Sequence, residues 1–246
     1  VDRSIWIGFD PRDAAAFAVA RRSCERHLVE PIPVHGLVLD DLRAQGLYWR
    51  PTRYSVDERG RRQMWDEISD AGMATEFAIS RFLVPHLAVR EAAGRKGWAL
   101  FMDCDMLVRA NLEELFASAD SSFAVMCVKH DHVPSSSVKM AGQPQAAYPR
   151  KNWSSLMLFN CAHAANAALT KELVNAVPGR DLHRFCWLED RLIGDLPVAW
   201  NWLAGYSDSA IEPKIVHHTD GSPCVPGFSK VPFAQEFMKE LNQWAT

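Results

Sequence analysis

Several features that would assign a class outright are missing from this chain. Its six cysteines, Cys24, Cys104, Cys127, Cys161, Cys186 and Cys224, include no C-x-x-C pair. Most stand in apolar surroundings, so neither a zinc site nor a disulfide framework is suggested, and they read as reduced core residues. No run approaches the roughly 20 apolar residues that span a bilayer, and the opening residues lack the pattern of a secretory signal, so the expected location is the cytoplasm. The net charge is -3, with basic residues spread out except at Arg59-Gly60-Arg61-Arg62, which argues against a nucleic-acid stripe. That cluster reads as a solvated loop, or as a surface for an anionic acceptor or for headgroups at the inner face of a membrane. A glycine-rich phosphate loop is also missing. The first apolar run leads into Gly8-Phe9-Asp10-Pro11-Arg12-Asp13, which counts against a metal-dependent nucleotidyltransferase. Internal repeats and low-complexity linkers are absent, so the 246 residues read as one domain.

What is present is the composition and alternation of an α/β protein, 48% hydrophobic and 23% charged. Ser4 to Phe9 reads as a strand ending at Asp10-Pro11, followed by an Ala-rich helix from Asp13 to Cys24 capped by Asp13 or Asp10. Pro31 to Val38 is a second strand, and Leu47 to Arg62 an irregular loop. A helix carrying Phe77, Phe82, Leu83, Leu87 and Val89, with Pro85 as a kink or break, leads into the strand Trp98 to Met102. A short helix over 112–119 and a strand over 123–128 follow. The polar stretch from Val133 to Arg150 reads as a loop able to close over a site. The alternation implies a mostly parallel sheet with helices on both faces, where ligands collect outside the carboxyl ends of the strands.

The strand 98–102 runs directly into Asp103-Cys104-Asp105. Two carboxylates at a strand end repel each other unless a cation or ligand offsets them; the alternative is a pair of solvated aspartates. In an extended segment the two aspartates share a face and can reach one ion, with Cys104 turned to the core. Carboxylate ligation suits Mg²⁺ or Mn²⁺.

Four further blocks accompany this tripeptide. They are Ile79-Ser80-Arg81-Phe82-Leu83-Val84-Pro85, Trp153 to Asn160, Leu196-Pro197-Val198-Ala199-Trp200-Asn201, and Ile215-Val216-His217-His218-Thr219-Asp220-Gly221. Together they resemble the retaining GT-A glycosyltransferases of family 8, the glycogenin and lipooligosaccharide galactosyltransferase type. The resemblance implies a GT-A, Rossmann-like α/β domain with a nucleotide-binding lobe over 1–109 and an acceptor and catalytic lobe over 110–246. It implies transfer of a hexose from a nucleoside diphosphate sugar, UDP by default, to a hydroxyl of a glycan or lipid-linked glycan.

Residue by residue, the resemblance implies Asp103, Asp105 and His218 as metal ligands, with His217 the competitor of His218. A set that includes imidazole favours Mn²⁺ over Mg²⁺. Asp10 is implied to meet the nucleobase or ribose, unless it is a helix cap. Arg81 is implied to contact the nucleotide-sugar or the Asp-x-Asp carboxylates, unless it is a surface ion pair. Two departures stand out. The family's Lys-Pro-Trp after the histidine motif is replaced by Cys224-Val225-Pro226-Gly227-Phe228, leaving Lys230, Lys139 or Lys151 to neutralise the diphosphate. In the place of the family's acid-glutamine-acid segment stand Leu188, Glu189 and Asp190. Glu189 and Asp190 are the expected catalytic carboxylates, as nucleophile or as electrostatic support for an oxocarbenium-like sugar; the alternative is an ion-pair run with Arg191. Most of Trp153, Trp187, Trp200 and Trp202 read as core, with the role of an aromatic platform under a sugar ring open to one or two of them. A catalytically silent scaffold of the same fold is the competing reading.

Overall fold

The structure, a computed structural model, describes residues 2–56, 62–131 and 150–243. The strands are β1 Arg3–Gly8, β2 Val34–Leu37, β3 Thr52–Val56, β4 Arg62–Asp66, β5 Ala71–Met73, β6 Trp98–Met102, β7 Met106–Val108, β8 Val125–Cys127, β9 Leu156–Asn160, β10 Ile193–Asp195, β11 Trp202–Leu203 and β12 Ile215–His217. The α-helices are α1 Ala14–Arg26, α2 Leu39–Ala44, α3 Val84–Glu91, α4 Leu112–Ala117, α5 Lys171–Ala176, α6 Gly179–His183 and α7 Ala234–Asn242.

Six strands form the central sheet in the order β10-β8-β9-β6-β1-β2. The pairs β1–β2, β1–β6 and β10–β8 are parallel, and β9 runs antiparallel to both its neighbours. This is the mostly parallel sheet expected from the alternation. Its middle strands are apolar along their whole length because both faces are covered: Leu100, Phe101, Leu158 and Phe159 are fully buried. Each such side chain contributes roughly 1.5–3 kcal/mol of transfer free energy.

Two features place a site at one edge of this sheet. The parallel strands β1 and β6 end there, delivering Asp10 and Asp103. Because β9 is antiparallel to β6 and Leu156 pairs with Met102, the residues preceding β9 lie at the same edge. Asp103 N–H donates to Ser155 O at 2.9 Å. The chain then leaves the large sheet: Asp103-Cys104-Asp105 is a turn, and β7 continues in a second, three-stranded sheet of order β11-β12-β7. The expectation of one extended segment is thus corrected. The aspartates meet because they sit at the corner between two sheets.

The span 47–62, expected to be irregular, contains β3, and β3-β4-β5 form an antiparallel meander. A buried, bidentate ion pair anchors it: Arg50 Nε donates to Asp66 Oδ1 at 2.9 Å and Nη2 to Asp66 Oδ2 at 2.6 Å, with both side chains fully buried. Arg50 Nη1 also donates to Val174 O and Val177 O, tying the meander to α5. Pro85 lies in the first turn of α3, where its missing N–H costs nothing, so it starts a helix and does not kink one. The Arg59–Arg62 cluster falls at 57–61 and the undescribed side chain of Arg62, and the expected closing loop falls almost entirely at 132–149; both lie outside the described residues, as does Lys139. Among the described residues no helix is long and apolar enough to cross a membrane.

Candidate functional site

The register of β12 against β7 builds the site's centre. His217 pairs with Met106, the first residue after the turn, so its ring arrives beside Asp105. Ligand atoms of Asp103, Asp105 and His217 all lie within 4.8 Å of one another, and His217 Nε2 is 3.4 Å from Asp105 Oδ1. The geometry around His217 fixes which nitrogen faces the acids. Asn201 Nδ2 donates to Ser155 Oγ at 2.9 Å, so Asn201 Oδ1, 2.9 Å from His217 Nδ1, is an acceptor there. The Nδ1 proton is thereby assigned to that bond, and in the neutral ring Nε2 turns a lone pair toward the carboxylates. Two carboxylates and an imidazole lone pair converging on one point are the donor set of a divalent cation, with Asn201 holding the ligand from behind.

His218 is the residue for which the placement differs from the expectation. Adjacent side chains on an extended strand point to opposite faces, and His218 turns toward α7. Its Nε2 is 3.0 Å from Pro232 O and its ring meets Phe237 edge-on at 5.3 Å. Burial lowers its pKa. His218 contributes its backbone N–H to Asp105 O at 3.0 Å, while its neighbour supplies the ring.

Arg81 is where the sequence placed it, against the Asp-x-Asp. Its Nη1 lies 2.8 Å from Asp103 Oδ1 and donates to Ser154 O at 2.8 Å. Its guanidinium lies over the rings of Phe101 and Phe77, 4.8 and 5.3 Å from their centroids. Phe77 can pack there because residue 8 is glycine: a Cβ on Gly8 would fall 2.3 Å from Phe77 Cδ2. A glycine at the end of β1 thus supports the arginine that orients a carboxylate at the end of β6.

These residues line a cavity of about 510 Å³, with Met73, Ala74, Phe77 and Ile79 on an apolar wall and Arg180 and Arg184 also in its lining. Three polar residues found here carried no site role in the sequence reading. Asp13 is buried and lines the cavity. It makes no cap hydrogen bond to α1, and burial and the charge of Asp10 raise its pKa. His183 Nδ1 is 2.7 Å from Ser154 Oγ, and burial, helped by the charge of Arg81, pushes its pKa down to about 3. Asn152 is held in the left-handed region at φ 64°, at a cost of about 1 kcal/mol, and stands at the head of the turn leading into β9.

The other expected site residues stand elsewhere. Asp10 is buried as a cap: its carboxylate accepts from Arg12 N, Arg12 Nε and Nη2, and Glu76 N at 2.6 to 3.1 Å. Burial would raise its pKa, but the Arg12 bonds outweigh this and lower it. Asp10 is not among the cavity-lining residues. Glu189 and Asp190 do not line the cavity either. Glu189 accepts from Arg191 Nε at 2.9 Å and Asp190 pairs with Arg150, both acids being largely exposed. The segment enters a short 3₁₀ turn on the surface, and neighbouring arginines hold both carboxylates outward. Lys230 is exposed and outside the lining. None of the four tryptophans lines the cavity; Trp200 and Trp202 are buried in the core.

Comparison with known proteins agrees with this architecture. The fold matches the WbbM bifunctional glycosyltransferase with a TM-score of 0.61 at 17% identity, over 98% of this chain and 49% of that one; the chain spans about half the length of that protein. It also matches GlyE of Streptococcus pneumoniae, with a TM-score of 0.58 at 13% identity over 100% of this chain and 63% of that one. Galactosyltransferase LgtC in complex with donor and acceptor sugar analogs gives a TM-score of 0.53 at 12% identity, over 98% and 95% of the two chains. The domain therefore has the GT-A glycosyltransferase fold. No family model matches the chain. Protein CDI of Arabidopsis thaliana is 40% identical over 245 residues, spanning 98% of this chain and 86% of that protein, and the chain belongs to the Protein CDI family.

Proposed function

We propose that the protein is a metal-dependent glycosyltransferase that takes a sugar from a nucleoside diphosphate donor, with UDP-hexose the first donor to try and a glycan or lipid-linked glycan hydroxyl as acceptor. The observation that carries this reading is the convergence of Asp103, Asp105 and His217 on the floor of the cavity in a GT-A fold. The mixed oxygen and imidazole set favours Mn²⁺ over Mg²⁺. When bound there, the cation would screen the charge that builds on the diphosphate as it departs.

The chain's own residues have separable tasks. Arg81 holds one oxygen of Asp103, leaving the carboxylate oriented toward Asp105. Asn201 fixes the His217 ring. The apolar wall around Phe77 and Ile79 excludes water, which competes with the acceptor hydroxyl. The proposed transfer is of the retaining kind, as the family 8 resemblance implies. The bond from the anomeric carbon to the diphosphate oxygen breaks, the acceptor oxygen bonds to the same face, and its proton passes to the departing phosphate.

The test is release of nucleoside diphosphate from a panel of nucleotide-sugars with Mn²⁺. Release with one donor, lost on chelation and in Asp105→Ala, is the expected result. Failure to bind any nucleotide would sink the reading. One observation favours a second reading, a donor-binding scaffold without turnover: Glu189 and Asp190 lie outside the cavity. Metal-dependent nucleotide binding with no release from any donor, even when acceptor sugars are supplied, would select it.

A further inference from the structure

The floor of the cavity is acidic, but one of its walls is not. Arg180, His183 and Arg184 all line the cavity, and residues three and four apart on a helix share one face. Along α6 that face presents two arginines, both exposed, where the cavity opens to solvent. Like charges at this spacing repel, and the protein does little to offset them. Arg180 lies 3.7 Å from its sequence neighbour Asp181, an exposed contact of little worth. Among the described residues Arg184 has no ion pair. The other charges of the lining are already engaged. Arg81 is committed to Asp103, Lys151 is buried with a partner, and the acids Asp66 and Asp220 are taken by Arg50 and by the Tyr206 hydroxyl.

The segment packed against α6 adds a donor and no acceptor. Arg150 Nη1 donates to Arg184 O at 2.6 Å, and Ser154 Oγ meets His183 Nδ1 at 2.7 Å, so residues 150–154 are tied to the helix at both ends. Asn152 stands between the two ties, lines the cavity and is 9% exposed. Thr219 Oγ1 donates to its Oδ1 at 3.5 Å, which turns Nδ2 away from Thr219, and that Nδ2 is buried with no acceptor. A buried donor left open is a demand for an oxygen. Two uncommitted guanidiniums and an open amide on one side of the cavity therefore call for a ligand rich in acceptors and negative in charge.

We infer that this wall is an acceptor subsite for an acidic glycan, with Arg180 and Arg184 receiving the carboxylate of a uronic acid unit and Asn152 donating to the same acceptor deeper in the cavity. This rests on the glycosyltransferase reading above and names the chemical class of its acceptor. A planar guanidinium meets a carboxylate with two parallel N–H···O bonds. The apolar wall of Met73, Ala74 and Phe77 suits the C–H face of a pyranose, as polar groups that fix orientation are usually set among apolar ones. Position assigns the charge to the acceptor and not to the donor sugar. The acid cluster holds the floor, whereas the arginines are exposed at the opening, where a glycan chain longer than the cavity passes into solvent.

The probes are short oligosaccharides of glucuronate and of galacturonate, their methyl esters, and a phosphorylated neutral oligosaccharide. Each is titrated calorimetrically into the full chain in saturating Mn²⁺ and the nucleoside diphosphate that it binds best. The native chain is expected to bind at least one uronate about tenfold or more tighter than its ester. Arg180→Gln and Arg184→Gln together should bring that ratio to within about threefold of unity. Both side chains are exposed, so the double variant is expected to keep the native urea midpoint. Asn152→Asp, which tolerates the left-handed backbone, removes the donor and should weaken the acid more than the ester. Equal binding of acid and ester by the native chain, or a preference that survives the double variant, overturns the inference and leaves the transferase reading intact. A phosphorylated oligosaccharide bound tighter than every uronate overturns the assignment to a carboxylate. An arginine-dependent preference for UDP-glucuronate over UDP-glucose, with none among the acceptors, overturns it by moving the charge to the donor. A native chain that binds no nucleotide overturns the transferase reading, and this inference with it.

Discussion

Two acidic segments of this chain look alike on paper and differ completely in space. Asp103-Cys104-Asp105 follows a buried strand and is held between two sheets, with Arg81 on one side and His217 on the other. Glu189-Asp190 follows a helical segment, and both acids are held outward by arginines at the surface. The difference lies in what surrounds the carboxylates. Where strands from two sheets meet, acids are forced close in a partly dry environment and need a cation. On a surface turn, each finds an arginine and gains little.

The comparison can be broken most sharply by activity. Asp105→Ala is expected to reduce metal-dependent nucleoside diphosphate release by about a thousandfold or more, on the scale of removing a main electrostatic contributor to the transition state. Glu189→Gln and Asp190→Asn are expected to stay within about threefold of the native rate. Equal losses in the two segments would contradict the contrast.

Stability sharpens the same contrast between buried and exposed charge. Arg50→Ala leaves Asp66 buried and unpaired, and should cost about 3–5 kcal/mol in urea unfolding. Arg191→Ala removes the partner of Glu189 at a fully exposed site and should leave the midpoint unchanged. The pH dependence follows the same pattern. Burial would raise the Asp66 pKa, but the hydrogen bonds from Arg50 and Ser69 outweigh it and the net shift is downward. The stabilisation is therefore present above the ordinary carboxylate value of about 4, and is lost as pH falls through the lower folded value. Acid unfolding of Asp66→Asn should show a flatter acid limb than that of the native chain.

Within the cluster, the largest effect on metal affinity is expected from the ligand and a smaller one from its support. His217→Ala should weaken Mn²⁺ binding by about 100-fold and Asn201→Ala by about 10-fold, whereas His218→Ala should change it less than about threefold.

How much of this was legible beforehand follows the same division between local pattern and tertiary register. The strand 98–102 and the Asp-x-Asp could be read because an apolar run and a charged end are local signals, whereas the contact of Arg81 with them was implied only by the family resemblance. The choice between His217 and His218 could not, because it depends on the register of β12 against β7, set by hydrogen bonds between distant segments. The meander β3-β4-β5 was missed because Thr52 to Val56 lacks an apolar face: Tyr54 and Val56 are exposed, and the ladder is held by pairing and by Arg50–Asp66. Asp13 read as a cap because its type and position suit one; only the fold shows that Asp10 takes the cap and Asp13 turns to the cavity. His183 carried no signal, since its partner Ser154 is 29 residues away.

The measurement that tests the central claim most directly is pulsed electron paramagnetic resonance of the Mn²⁺-loaded protein, read for nitrogen coupling from a bound imidazole. The native chain and His218→Ala should both show the coupling, and His217→Ala should lack it. Coupling that persists in His217→Ala and disappears in His218→Ala would contradict the site as built from Asp103, Asp105 and His217.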